Sequence, residues 1–303
     1  IPHPAPGPGE ALVAVAYAGV NFIDTYLRSG LYPAGDLPVI AGREGAGTVE
    51  ALGPGVAGIG VGDRVAFVDA PGSYAERVAL PAGRLFPLPD GLSFETGAAL
   101  PLQGLTADYL VHTVGAIGPG STVLIHAAAG GVGLLATQLA KRAGATVYGT
   151  CSTAAKAAAA RRAGCDEVIL YTEADFADEV LRLTDGRGCD VVLDSVGRAT
   201  FAGSVRSTGV RGTLCVFGQS SGMIEPFSPR PVLGSRTLVS ATLFDYLRDP
   251  EERAERWGRV AGLAARGRLE VAIDRVHPLA EAALAHRRLE GRETSGKLLM
   301  ATA

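Results

Sequence analysis

The sequence has few cysteines, no large excess of either charge and no long apolar run, and each shortage excludes a class of protein. Its four cysteines, among 303 residues, form no C-x-x-C pair, so neither a disulfide framework nor a structural zinc site is expected, and a reducing, cytoplasmic setting is favoured. Lys and Arg number 28 against 31 Asp and Glu, which disfavours electrostatic capture of nucleic acid. Gly, Asp or His interrupts the apolar runs before they reach the ~20 residues that cross a bilayer, so no membrane segment is expected.

The start of the chain also lacks the basic and apolar regions of a signal peptide. It begins with Ile rather than Met and opens on a Pro and Gly rich run, residues 1–9, that leads straight into an apolar strand. We expect that an N-terminal piece is missing.

The sequence does contain enough apolar material for two domains. Hydrophobic residues make up 47% of the chain, and its length is about twice the ~150 residues of a typical domain. Short β-branched runs at 11–17, 47–51 and 64–68 are separated by glycine-rich turns, which predicts a β domain. Ser93 is a candidate N-cap, and helical spacing as far as Gly118 predicts one long helix that joins the two domains.

After Gly120 the strand and helix patterns alternate, which predicts an α/β, doubly wound parallel sheet. Ligands of such sheets bind at the carboxyl edge of the strands. Beyond this region the pattern predicts a helix over 248–266, a strand over 269–275, a helix over 280–289 and a last strand over 296–300. We expect these last elements to complete the β domain.

The segment HAAAGGVG, residues 126–133, lies between a predicted strand and a predicted helix, which is the context that a dinucleotide-binding loop requires. Gly130 allows the backbone to approach a pyrophosphate, Gly133 allows close helix–strand packing, and Ala128 replaces the usual first glycine. The alternative is a helix capped by small residues without a ligand. His126, at the end of a buried strand, is interpreted as structural rather than catalytic.

The end of the next strand favours NADPH over NADH. An NAD enzyme carries Asp or Glu there to bind the ribose hydroxyls, but no acid occurs before Asp166. Ser152, Thr153 and Lys156 instead supply hydroxyls and a cation suited to a 2′-phosphate. The alternative for Lys156 is an ordinary exposed helix lysine.

Six segments of the sequence carry a resemblance to a known family: AGVNFIDTYLRSGLYP (18–33), GREGAGTVEALGPGV (42–56), GDRV (62–65), HAAAGGVG (126–133), DSVG (194–197) and FGQSSG (217–222). Through them the whole chain resembles the zeta-crystallin-like quinone oxidoreductases, a zinc-free branch of the medium-chain dehydrogenases/reductases.

The resemblance implies a GroES-like β-rich catalytic domain, residues 1–101 completed by 270–303, and a Rossmann-type NADPH-binding domain, residues 102–269. It also implies a metal-free reaction. Zinc-dependent relatives have Cys in the segment where this chain has Gly19, Val20 and Asn21, and His where it has Arg43, and zinc requires thiolate or imidazole ligands.

The site residues implied by the resemblance fall into two sets. The catalytic candidates are Asn21, Tyr26 and Tyr32. The cofactor-binding candidates are Asn21, Asp24, Thr106, Ala129, Gly130, Gly131, Val132, Ser152, Lys156, Tyr171, Ser195, Phe217, Ser220, Ser221, Leu243 and Arg292. Gln219 replaces an Asn that often precedes the paired serines of the family.

The expected chemistry is hydride or electron transfer from NADPH to a quinone. Tyr32 is the candidate hydrogen-bond donor to the quinone oxygen, and Asn21 is expected to hold the carboxamide or a water. The alternatives are a tyrosine packed in a loop and a turn-forming asparagine.

Two other functions stay open at this point. One is an enoyl-thioester or other alkene reductase of the same superfamily, and the other is a non-enzymatic NADPH-binding protein. For the assembly, the resemblance implies a homodimer, in which the strand predicted at 237–242 pairs across a two-fold axis.

Overall fold

In the structure, a computed structural model that describes residues 3–33 and 35–302, thirteen strands and ten α-helices are joined by turns and short 3₁₀ segments. The strands are β1 (Glu10–Val20), β2 (Glu44–Leu52), β3 (Arg64–Val68), β4 (Arg77–Pro81), β5 (Leu85–Pro87), β6 (Thr122–Ile125), β7 (Thr146–Cys151), β8 (Glu167–Leu170), β9 (Cys189–Asp194), β10 (Thr208–Val216), β11 (Thr237–Ser240), β12 (Ile273–Pro278) and β13 (Lys297–Ala301). The helices are α1 (Phe22–Ser29), α2 (Phe94–Ala99), α3 (Pro101–Tyr109), α4 (Gly131–Arg142), α5 (Ala154–Ala163), α6 (Phe176–Leu183), α7 (Phe201–Ser207), α8 (Pro229–Leu233), α9 (Pro250–Ala265) and α10 (Ala282–Glu290).

The chain divides into two units. Residues up to Leu105 and residues from Leu247 onward form the first unit, and Thr106–Tyr246 forms the second. No helix among the described residues is long and apolar enough to cross a membrane.

The first unit is built on a seven-stranded sheet in which β1 is the central strand. The order is β12-β13-β1-β2-β3-β5, and β4 pairs with β1. β1 is antiparallel to β2, β4 and β13. Its apolar side chains join those of the neighbouring strands in one buried core, which includes Val13, Val15, Phe67, Leu298 and Met300. The β-branched pattern of the first third therefore forms the predicted β-rich sheet, and the last two strands of the chain extend it.

The second unit is a six-stranded parallel sheet with the order β11-β10-β9-β6-β7-β8. Read from β8, this is the 3-2-1-4-5-6 order of dinucleotide-binding domains, in which the strand order reverses beside the first strand. The reversal lies between β6 and β9, at the carboxyl end where the sequence places HAAAGGVG and DSVG. The prediction of a doubly wound parallel sheet is confirmed.

The prediction of one long helix after Ser93 is wrong, because two helices and a π-helical turn occupy that stretch. Ser93 does cap α2, since its hydroxyl accepts a hydrogen bond from the Thr96 amide. α2 ends at Ala99, and Pro101 begins α3. A proline has no amide hydrogen to continue a helix but is favourable at a helix start, which explains the break. A π-helical segment, Leu110–Val114, follows α3.

The end of the chain differs from its predicted assignment in two respects. The predicted Rossmann domain ran to residue 269, but residues from Leu247 belong to the first unit. There α9 packs Trp257 against Phe86 with ring centroids 4.9 Å apart, and the Trp257 indole donates a hydrogen bond to the Pro87 carbonyl. The strand predicted over 269–275 starts later, at Ile273, because its pairing with Lys297 on β13 sets the register.

Candidate active site

The loop between β6 and α4 has a geometry that only glycine permits at one position. A Cβ atom on Gly133 would lie 2.5 Å from the carbonyl oxygen of Ala127 and 2.8 Å from the Cα of Ala128. The first turn of α4 therefore packs directly on the backbone of its own loop. This is the close packing that the sequence pattern assigns to Gly133.

The N-terminus of α4 lacks a side-chain cap, because the N-cap residue is Gly130. The half-buried Gly131 and Val132 form the first turn, and the amides of a first turn have no partner within their helix. An anion is the usual partner of such amides. The backbone of Ala129 is hydrogen-bonded to the Cys151 thiol. Ala129, which is predicted to bind the pyrophosphate, therefore already has a backbone partner within the protein.

Three candidates for the 2′-phosphate meet at the carboxyl ends of β7 and β8. Ser152 directly follows β7, and the Tyr171 amide donates a hydrogen bond to the carbonyl of Cys151. The Thr153 hydroxyl caps α5 by accepting from the Lys156 amide, which places Lys156 in the same first turn. The backbones of these three residues therefore lie at the strand end where a ribose-binding acid stands in an NAD enzyme.

The nearest acid along the chain lies at the other end of β8. Asp166 precedes that strand, pairs with the Lys141 ammonium at 2.8 Å and accepts a hydrogen bond from the Val147 amide. It is thus bound at the amino end of the sheet. The Asp166 carboxylate is therefore remote from Ser152 at the carboxyl end of β7.

The loops after β9 and β10 pack against each other. A Cβ on Gly218 would lie 2.6 Å from the Ser195 carbonyl oxygen. The Ser221 hydroxyl donates to the Val196 carbonyl and accepts from the Ala199 amide, so this serine ties the two loops together. The remaining candidates in the second unit are the half-buried Phe217 and Ser220 and the buried Thr106 and Leu243.

A buried polar network lies beneath these loops. His126 is bonded through Nδ1 to the Thr150 hydroxyl and through Nε2 to the Ser204 hydroxyl, each at 3.0 Å. Ser204 in turn donates to the Asp194 carboxylate at 2.6 Å. Burial lowers the pKa of His126, although the negative charge of Asp194 opposes that shift. His126 is therefore a neutral member of the protein interior, in agreement with its structural interpretation.

This histidine should make the protein less stable in acid. The unfolded chain binds a proton at His126 as the pH falls through about 6.5, whereas the folded protein holds it neutral. The contribution of neutral His126 to the free energy of unfolding is therefore complete above about pH 6.5 and decreases as the pH falls below that value. We expect Tm to fall more steeply between pH 7.5 and 5.5 in the wild type than in His126→Gln.

The exposed His3, replaced by glutamine, is the control for this measurement and should follow the wild-type curve. Parallel curves for the wild type and His126→Gln would contradict the prediction. Asp24, described below, titrates in both proteins, so the difference between the two curves isolates His126.

On the first unit, Asn21 is the N-cap of α1, but its side chain points into the protein. Its Nδ2 donates to the Glu44 carboxylate at 2.6 Å, and its Oδ1 accepts from the Lys297 ammonium at 2.7 Å. Glu44 and Lys297 also form an ion pair with each other, and all three side chains are almost completely buried. The amide expected to hold a carboxamide or water is thus engaged with a buried charge pair.

Asp24 is also turned inward rather than exposed to a ligand. The residue is 1% exposed. Its Oδ2 accepts hydrogen bonds from the backbone amide of Asn21 at 2.8 Å and from the Tyr74 hydroxyl at 3.1 Å. Burial is the main reason that its pKa rises to about 6. The carboxylate completes the capping box of α1.

The structure brings the two candidate tyrosines together. The rings of Tyr26 and Tyr32 meet edge to face with centroids 5.2 Å apart, and the Tyr32 amide donates to the Tyr26 carbonyl. Tyr26 is buried on α1, and Tyr32 is half-buried in the following loop. Burial raises the pKa of Tyr32, so its phenol keeps the proton that hydrogen-bond donation requires.

Arg292 lies in the first unit just after α10, where its φ of 57° is left-handed and its amide donates to the Leu289 carbonyl. Its predicted contact with the cofactor stays a prediction.

The sequence patterns do not indicate Glu44, Lys297 or Tyr74, nor His286, whose Nε2 lies 3.1 Å from the Tyr74 hydroxyl. Glu44 lies in the GREG segment, but its partner Lys297 is 253 positions away. No periodicity or local spacing connects residues so far apart.

The donor set does not fit a zinc ion. Within residues 3–33 and 35–302, no three His, Cys, Asp or Glu side chains could hold one metal. Burial raises the pKa of Cys165, Cys189 and Cys215, which disfavours the thiolate that zinc binds. Where zinc-dependent relatives have histidine, Arg43 pairs with Asp69 at 2.7 Å.

Together, the reversed strand order, the glycine-limited loop and the two-part architecture define a nucleotide-dependent oxidoreductase of the medium-chain class. The sequence model of the alcohol dehydrogenase GroES-like domain matches residues 7–90, and that of the zinc-binding dehydrogenase family matches residues 131–259. The chain is 44% identical to a quinone oxidoreductase of Pseudomonas aeruginosa over 97% of this chain and 92% of the relative.

Two further relatives show the range of the group. A crystal structure of the Escherichia coli quinone oxidoreductase complexed with NADPH superposes with a TM-score of 0.96 at 40% identity, and it covers 99% of this chain and 94% of that one. A 2-haloacrylate reductase from a Burkholderia species is 38% identical over 98% of this chain and 92% of the relative. The chain belongs to the quinone oxidoreductase family of the medium-chain dehydrogenases/reductases, and it is an oxidoreductase.

Proposed function

We propose that this protein transfers hydride or electrons from NADPH to a quinone without a metal ion. The observation that carries this proposal is the cluster of Ser152, Lys156 and Tyr171 beside a phosphate loop that only glycine can form. The relatives named quinone oxidoreductase, one of them in complex with NADPH, support the same cofactor and substrate.

Each part of the second unit has a defined task in binding the cofactor. The first-turn amides of α4, at Gly131 and Val132, bind the pyrophosphate. Ser152, Lys156 and Tyr171 bind the 2′-phosphate, and charge-assisted bonds from Lys156 supply most of the preference over NADH. The loops carrying Ser195, Phe217, Ser220 and Ser221, together with Thr106 and Leu243, line the remainder of the trough.

NADPH, when bound, supplies the hydride, and a two-electron reduction balances as NADPH, one proton and quinone giving NADP⁺ and hydroquinone. The chain's own residues position the quinone and stabilise the charge that develops on its oxygen. Tyr32 donates a hydrogen bond to that oxygen, and Tyr26 holds the ring of Tyr32 from its edge. Asn21 acts indirectly, because it is the N-cap residue of α1, the helix that carries Tyr26.

The direct test mixes the purified protein with NADPH and 1,2-naphthoquinone and follows the absorbance of the reduced nicotinamide. NADH in place of NADPH is the control. Rapid oxidation that prefers NADPH supports both the reaction and the 2′-phosphate cluster. Binding of NADPH without quinone reduction would overturn the proposed reaction.

Tyr32→Phe should lower kcat/KM for the quinone about tenfold or more, because it removes one hydrogen bond to the developing charge. NADPH affinity should stay the same. Tyr148→Phe is a matched control, since that hydroxyl bonds only weakly, at 3.4 Å, to the Leu183 carbonyl. Equal turnover of Tyr32→Phe and wild type would contradict the role of Tyr32.

The similarity to a 2-haloacrylate reductase favours a second candidate, reduction of an activated C=C bond. Hydride addition to such a bond uses the same cofactor and trough. Assays with 2-chloroacrylate and with an enoyl thioester, compared with the quinone assay, distinguish the two candidates. The substrate with the highest kcat/KM identifies the reaction of this site.

We also propose a cytoplasmic homodimer. β11 is an edge strand of the parallel sheet, and an edge strand can pair with its copy across a two-fold axis. The four cysteines are unpaired thiols, as in a reducing compartment. Light scattering should give twice the 31.0 kDa mass of the chain. A monomeric mass would contradict the proposed dimer.

A further inference from the structure

A chain of hydrogen bonds runs from the surface of the first unit to the buried start of α1. At the surface, Arg28 pairs with Glu290 at 2.6 Å. The same guanidinium contacts Nδ1 of His286 at 3.0 Å through its other nitrogen. Nε2 of His286 lies 3.1 Å from the Tyr74 hydroxyl, which in turn lies 3.1 Å from the Asp24 carboxylate.

The chemistry of Arg28 sets the direction of every bond in this chain. A guanidinium only donates, so Nδ1 of His286 must accept, and the proton of the neutral ring is on Nε2. Nε2 then donates to the oxygen of Tyr74, which leaves the Tyr74 hydrogen for Asp24. The chain has a single consistent orientation, and all its donors point toward the carboxylate.

The surrounding charges favour the same orientation. Burial and the positive charge of Arg28 lower the pKa of His286, while Glu290 opposes this shift. Burial and the adjacent Asp24 raise the pKa of Tyr74 well above its usual value, with a smaller contribution from Glu44. At neutral pH both His286 and Tyr74 are therefore uncharged, and Tyr74 keeps the hydrogen that it donates.

The charges around Asp24 itself come from two strands. Burial raises its pKa to about 6, Glu44 on β2 adds to that rise, and Lys297 on β13 opposes it. The bonds from the Asn21 amide and the Tyr74 hydroxyl stabilise the ionised form. The second oxygen, Oδ1, is buried and has no hydrogen-bond partner within residues 3–33 and 35–302, so the carboxylate depends heavily on the bonds to Oδ2.

We propose that Tyr74 and His286 are positioning residues of the active site, which hold the Asp24 carboxylate at the N-terminus of α1. α1 carries Tyr26, against which Tyr32 packs. Protonation of Asp24 weakens the capping box and with it the placement of both tyrosines. Activity should therefore decline in acid with an inflection set by Asp24.

The inference rests on the proposed function for its kinetic readout, so a first measurement is independent of catalysis. The carboxyl carbons of ¹³C-labelled aspartate are titrated by NMR, with Asp24→Asn to assign the signal. Asp24 should titrate near 6 in the wild type, and Tyr74→Phe should move it upward by about one pH unit or more, because a charge-assisted bond is lost. An unchanged titration would overturn the proposal even if no quinone is reduced.

The second measurement is the pH profile of kcat/KM for the quinone in the variants of this chain. Tyr74→Phe should move the acid inflection upward by the same amount as the NMR titration. His286→Leu should move it in the same direction, whereas His286→Gln keeps a donor near the Nε2 position and should restore the wild-type profile. If Tyr74→Phe does not fold, the two His286 variants decide the matter.

Tyr17→Phe is the matched control, because it removes a tyrosine hydroxyl bonded to a different acid, Glu95, in the same unit. It should leave the inflection unchanged. A shift in Tyr17→Phe equal to that in Tyr74→Phe would show a general effect of stability and would overturn the specific role. Absence of quinone reduction in the wild type counts against the proposed function alone.

Discussion

Replacing Lys297 by methionine should destabilise the first unit by about 3–5 kcal/mol. Methionine nearly matches the volume of lysine but leaves the fully buried Glu44 carboxylate without a countercharge and the Asn21 Oδ1 without its donor. Glu44 also accepts a hydrogen bond from the Leu102 amide at 2.7 Å. The loss therefore reaches both α1 and the start of α3.

The single tryptophan of the chain provides a local measurement of this effect. Trp257 is buried against Phe86 in the first unit, so its fluorescence during urea unfolding reports on that unit. Arg77→Met is the matched control in the same unit, because its ion pair with Glu50 is open to solvent and exposed pairs contribute little to stability. Equal losses in the two variants would contradict the prediction.

Neutralising the partner should restore part of the stability. In Lys297→Met combined with Glu44→Gln, residue 44 no longer buries a charge without its partner, and the glutamine oxygen can still accept from the Leu102 amide. We expect the double variant to be more stable than Lys297→Met. If it is less stable, the loss in the single variant arises from packing rather than from the buried charge.

The second large effect concerns the choice of cofactor. Ser152→Asp combined with Lys156→Ala should change the ratio of kcat/KM for NADPH over NADH by about 100-fold or more in favour of NADH. The double variant removes a charge-assisted bond, contributing about 1.5–3 kcal/mol, and places a carboxylate that repels the 2′-phosphate and can bind the ribose hydroxyls.

Steady-state kinetics with each cofactor at a fixed quinone concentration measure this ratio. Lys141→Ala, at the amino end of the same sheet, is the control and should leave it unchanged. A double variant that still prefers NADPH by the wild-type factor would show that the 2′-phosphate binds elsewhere.

Much of the second unit could be predicted because its signals are local. The alternation of apolar strands and helices around HAAAGGVG determines a parallel sheet, and the structure confirms it with the expected strand order. Gly133 could be assigned its packing role from its position in the loop alone. Ser152 and Lys156 could be placed because both follow β7 within six residues.

The first unit was predicted less completely, because its site is held by residues far apart in sequence. The sequence predicts that Asn21 holds the carboxamide or a water, but no local pattern indicates that its side chain bonds to Glu44 and Lys297. Tyr74 and His286, 212 positions apart, also meet only in the folded chain. Periodicity describes which face of an element is buried, and it does not describe which polar groups pair inside.

The sequence by itself determined the fold class and the membership of the quinone oxidoreductase family, and it predicted the phosphate loop, the preference for NADPH and a metal-free reaction. Each of these depends on residues that are neighbours along the chain, where backbone geometry limits the possible arrangements. Only the tertiary structure decided the boundary near Leu247, the buried Lys297–Glu44 pair and the direction of the bonds that reach Asp24. These depend on which distant strands and helices pack together, and burial then makes a single arrangement of their polar groups far more favourable than any other.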